Sequence, residues 1–161
     1  MELEAKKPTF DNFGQFGTVL NPYDCGQPIN PGLVFPYYND RIHLSFNGGN
    51  LTTLNIQISG ERPLNFDVTE MHKNTEELFG GFNKDIVFHV GLESDDLPDF
   101  LTFEAFILEK YHWVRLKRRI FHWAAFNIEE GQAIGWYILP PFTAFSDTFS
   151  FNIAEAINIK L

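Results

Sequence analysis

The chain has 161 residues, with 12 Lys and Arg against 21 Asp and Glu, for a formal charge of −9. That charge argues against docking on nucleic-acid phosphates or anionic membranes, because both interactions need a basic surface. Cys25 is the only cysteine, so no internal disulfide exists and a reducing, cytoplasmic setting is expected.

Aromatic residues make up 16% of the chain, led by 18 Phe, and they favour strands with a thick core. The opening run Met1–Pro8 has no apolar stretch of a signal peptide, and no apolar run approaches the roughly 18 residues of a spanning helix. Residues 1–40 are rich in Pro, Gly and Asn and read as an irregular arm. Within it, Thr9 as cap and Gly14 as stop predict one short helical turn. Next come strand-like runs at 41–46, 51–59, 64–72, 85–91, 101–108, 111–117, 120–127, 133–139 and 148–153. Turn signals such as Asn47-Gly48-Gly49-Asn50 and Glu129-Glu130-Gly131-Gln132 separate them. The run Asp95–Phe100 is the best candidate for a second helical turn, while Asn152–Ile157 fits a helix and a strand about equally. Many short strands at regular spacing indicate one all-β domain, a sandwich or a barrel, over residues 41–153, with a tail at 154–161.

Chemistry concentrates in two places. In Leu64–His72, alternation puts Phe66, Val68, Glu70 and His72 on one face of a strand, and Glu76 and Glu77 follow within a turn. Carboxylates and an imidazole on an interior face need a partner charge or a metal. About fifty residues later, His122 sits among Phe121, Trp123, Ala124 and Phe126, which suits a pocket histidine. His112 shares parity with Val114 and Leu116 and His89 lies in an apolar strand, so both read as structural, and His43 stands isolated. Arg115 with Lys117, Arg118 and Arg119 reads as a solvated basic hairpin, and nothing around Cys25 suggests a nucleophile.

Glu70-Met71-His72 followed by Glu76 or Glu77, with His122 downstream, is similar to the paired motifs of cupins. Phe13-Gly14-Gln15-Phe16-Gly17-Thr18-Val19 and Ile120-Phe121-His122-Trp123 extend the resemblance to the ureidoglycolate lyase (ureidoglycolate hydrolase) family. The resemblance implies a cupin-type jelly-roll barrel of about nine to eleven antiparallel strands. It also implies cleavage of ureidoglycolate to glyoxylate and urea. A divalent ion (Zn, Mn, Fe or Ni) would be held by Glu70, His72, Glu77 and His122. In that scheme His72, Glu76, His112 and His122 supply acid–base chemistry, and Lys73, Arg115 and Trp123 bind the small carboxylate. A non-catalytic pocket for a small acid or sugar is the alternative, and a homodimer covering exposed strand edges suits either.

Overall fold

The computed structural model describes residues 1–28, 38, 41–45 and 51–161. Strand β1 (Glu2–Lys6) opens the chain and is followed by α1 (Phe10–Phe13). A capping box starts this turn: Thr9 Oγ1 accepts from Asn12 N, and Asn12 Oδ1 accepts from Thr9 N. Phe13 then drops into the core. After β2 (Gly17–Leu20) come β3 (Thr53–Ser59), β4 (Asn65–His72), β5 (Glu77–Gly80) and β6 (Ile86–Gly91). The ribbon β7 (Glu93–Ser94) and β8 (Leu97–Pro98) turns through Asp95 and Asp96, both at positive φ, where a helical turn is expected from sequence. Left-handed backbone at two adjacent residues makes a tight hairpin instead, and the short 3-10 turn comes later, at Phe100–Thr102. The rest is β9 (Glu104–Leu108), β10 (Trp113–Leu116), β11 (Phe121–His122), β12 (Phe126–Asn127), β13 (Ala133–Leu139), α2 (Thr143–Ser146) and β14 (Thr148–Lys160).

Two main sheets result. The larger runs β11-β4-β14-β1-β9-β6-β12, and β11 also pairs with β6, which links six of its strands in a closed ring of pairings. The smaller runs β2-β10-β5-β13-β3. The sheets pack over Phe79, Val114 and Leu116 on one side and Phe88, Phe106 and Leu108 on the other, with the rings of Phe79 and Phe88 edge to face at 5.1 Å. A second cluster, including Phe66, Met71, Val87 and Phe121, fills the other face of the larger sheet.

Several expectations change. The first twenty residues are not an irregular arm: β1 lies between β14 and β9, and β2 extends the smaller sheet. Nor are all strands antiparallel, because β1 is parallel to both neighbours. The tail is part of β14, whose thirteen residues run to Lys160 and settle 152–157 as strand. Of the strand expected at 41–46, residues 41–45 form none, and residue 46, like the turn at 47–50, lies outside the described residues. Phe66 does not share the face of His72. It packs with Met71 and stacks on His89 with ring centroids 3.5 Å apart, near the register break opposite Asn152 and Ile157. Among the described residues, no helix is long and apolar enough to cross a membrane.

Candidate functional site

The ends of three strands build the site. On β4, Glu70 and His72 sit two residues apart and so share a face. Strand β11 sets His122 directly opposite Glu70. The opposing sheet supplies Glu77 from the first position of β5. Together they line a cavity of about 550 Å³ between the sheets, with Phe79, Trp123, Tyr137 and Leu139 in its wall.

Both imidazoles are oriented by the backbone. Nδ1 of His72 lies 3.0 Å from the Asp147 carbonyl oxygen, and Nδ1 of His122 lies 2.9 Å from that of Ile120. A carbonyl only accepts, so each Nδ1 carries a proton and each Nε2 points inward. The two Nε2 atoms meet at one atom: Glu77 Oε2 is 3.1 Å from each. An imidazole nitrogen facing a carboxylate oxygen needs a proton on it or a cation shared with it.

Burial alone would raise the Glu77 carboxyl, but the charge and hydrogen bond of His122, followed by those of His72, bring it down to about 2. Burial would likewise discharge His122, yet Glu77 and then Glu70 raise it to about 9. Burial also holds Glu70 above the ordinary carboxylate range, with the two imidazoles pulling the other way. Among the described residues Glu70 has no hydrogen-bond partner for its carboxylate, unlike Glu77. Donor atoms of Glu70, His72 and His122 all lie within 4.8 Å of one another, a spacing that one ion can bridge.

The other candidates fall elsewhere. Glu76 turns away and accepts from Ser45 N at 2.8 Å. His112 bonds the Lys110 carbonyl through Nδ1 and approaches Glu109 at 3.7 Å, outside the cavity. Lys73 is tied to Asp96 at 2.6 Å and lies over the Phe149 ring. On β10, Val114 and Leu116 take the interior parity, which leaves Arg115 on the other face, bonded to His43 O and Thr18 Oγ1. Neither cation lines the cavity, whereas Trp123 does.

Sequence reasoning missed Asp147. Its carbonyl fixes His72, and its carboxylate accepts the N–H groups of Lys73 and Asn74 and the Asn74 amide. It thereby ties the start of β14 to the turn after His72. The only local signal was an Asp just before a strand-like run, which also describes an ordinary turn. His89 is a core residue: fully buried, it bonds Thr69 Oγ1 at 3.1 Å, and burial holds it well below its usual pKa. No protein-family model and no curated protein matches the chain.

Proposed function

We propose that this protein is a cupin-type small-molecule enzyme whose centre is a divalent metal ion held by Glu70, His72 and His122, with Glu77 Oε2 beside the same two imidazole nitrogens as a further carboxylate toward the ion. The observation that carries the reading is the convergence of those three donors within 4.8 Å on the floor of an apolar cavity. The donor chemistry fits an ion. Each histidine spends Nδ1 on a backbone carbonyl, the usual means of fixing the ligating tautomer. Among the described residues Glu70 is a carboxylate without a protein partner. Two imidazoles and a carboxylate suit Zn, Mn, Fe or Ni. Such an ion supplies a Lewis acid toward a bound oxygen. The protein's own residues orient the set: Glu77 Oε2 lies 3.1 Å from Nε2 of both rings, and Phe79, Trp123 and Tyr137 line the cavity beside them.

Metal analysis of protein purified without added metal is expected to return close to one ion per chain. His72→Ala is expected to lose it while the protein still melts cooperatively. Retention of the ion in His72→Ala would sink the reading. The narrower reading, cleavage of ureidoglycolate to glyoxylate and urea, has the sequence resemblance alone behind it and competes with the preference for uncharged ligands argued below. It draws no support from a side-chain clamp, since Lys73 and Arg115 are engaged elsewhere. Release of urea and glyoxylate, with and without added divalent metal, decides it. A ligand-dependent melting shift without turnover would favour a binding module.

A further inference from the structure

The cavity's walls also carry information about its ligand. All twelve Lys and Arg side chains stand at described positions, and none lines the cavity. Residues 29–37, 39–40 and 46–50 contain no Lys, Arg or His, so they have no cation to add. The nearest candidates by position are already spent. Lys73 pairs with Asp96, Arg119 with Glu93 and Asp96, and Arg62 donates to the carbonyls of Ala124 and Ala125.

Among the described residues, the ionisable groups of the cavity are the carboxylates of Glu70 and Glu77 and the imidazoles of His72 and His122. A divalent ion would have its two charges matched by the two carboxylates, leaving no surplus to attract an anion. Most of the remaining wall is apolar, with Phe79, Trp123, Tyr137 and Leu139 prominent. The Gln57 amide, one of the few polar groups, is occupied by Ser59 Oγ at 2.7 Å and the Ala125 carbonyl at 3.0 Å.

We infer that the cavity selects an uncharged, largely apolar small molecule, ring-sized and bearing one oxygen donor, and disfavours carboxylates. Aromatic faces supply the affinity, and the Glu70–His72–His122 corner receives the oxygen. A carboxylate would instead give up its hydration for a site whose positive charge is already matched by Glu70 and Glu77 and whose wall offers no lysine or arginine. This inference rests on the metal-site proposal for the anchor at that corner, and on the cavity wall alone for the preference.

The test is calorimetric, with benzamide and benzoate as a matched pair of one shape and different charge, and ureidoglycolate as a second anion. Zn(II) titration of the full-length protein comes first and reports on the metal site independently. Benzamide is expected to bind the Zn-loaded protein about tenfold tighter than benzoate or more. Ser150→Lys, which adds a cation at an exposed position of the wall directly across from Glu70, is expected to narrow or reverse that ratio. If Zn(II) binds and either anion equals or exceeds benzamide, the ligand class is overturned while the metal site stands. If Zn(II) does not bind but benzamide still outbinds benzoate, the metal site fails and the ligand class stands. Absence of benzamide binding, or an unchanged ratio in Ser150→Lys, also overturns the inference.

Discussion

At the residue scale, one oxygen atom of Glu77 joins two strands of one sheet to the other sheet through His72 and His122. This has a measurable pH signature in the metal-free protein. The Glu77 carboxyl falls from 4.5 to about 2 on folding, so its contribution is full above pH 4.5 and lost as pH drops toward 2. The His122 imidazole rises from 6.5 to about 9, so its contribution is full below pH 6.5 and lost as pH climbs toward 9. Stability should therefore peak between these limits and decline on both sides. The alkaline loss should be on the order of 2 kcal/mol. Urea midpoints followed from pH 5 to pH 9 measure it. Glu77→Gln is expected to be less stable at pH 6 and nearly flat over that range. An equal alkaline loss in the variant would remove Glu77 as the cause.

At the scale of elements, β3 inverts the usual pattern of a surface strand. Thr53, Asn55, Gln57 and Ser59 share one face, while Leu54, Ile56 and Ile58 on the other are more than half exposed. Across the ladder, Ile56 faces Trp136 and Ile58 faces Ile134, so the apolar stripe continues onto β13. Among the described residues β3 is also an edge of its sheet, and it carries no charged residue over seven positions. Such an edge is a template for pairing with a second chain, and the homodimer expected from sequence is tested there. Ile56→Lys is expected to leave the melting temperature nearly unchanged, since the side chain is 58% exposed, and to shift sedimentation toward monomer. A wild-type protein that sediments as a monomer at all concentrations would refute this. The polar inner face of β3 has a use of its own. Gln57 and Ser59 hold the carbonyl of Ala125, three residues past His122, and so brace the segment that carries Trp123 along the cavity.

At the scale of the whole molecule, the chain's first strand completes the larger sheet. Residues of β1 pair with Asn158–Lys160 and with Ala105–Phe106, and Leu3 is buried in the second core cluster. Deleting residues 1–7 would open two strand edges and uncover that cluster. The truncated protein is expected to lose its cooperative melting transition or to aggregate, and differential scanning calorimetry would show which. A transition within about 3 °C of the full-length value would mean that β1 is dispensable, contrary to its central position.

Some of this was legible in the residues themselves. Short strands punctuated by Gly, Pro and Asn turns specify an all-β chain because alternation and turn chemistry act locally, as at β13 and at the Thr9 cap. The Glu70–His72 spacing is local too, since two residues on a strand must share a face. Sheet partnership was not legible. Whether β1 joins β14 or stays free depends on edges made about 100 and 150 residues away. The parity of Arg115 and the aim of Glu76 likewise depend on which face of β10 and of the turn before β5 meets the core. Charge and histidine content, read alone, marked the candidates. Only packing decided that Glu77 rather than Glu76 reaches the imidazoles, that Asp147 holds His72, and that no lysine or arginine enters the cavity. The reason is physical: a side chain's chemistry is carried by its own atoms, while its partners are set by long-range pairings that a single strand does not encode.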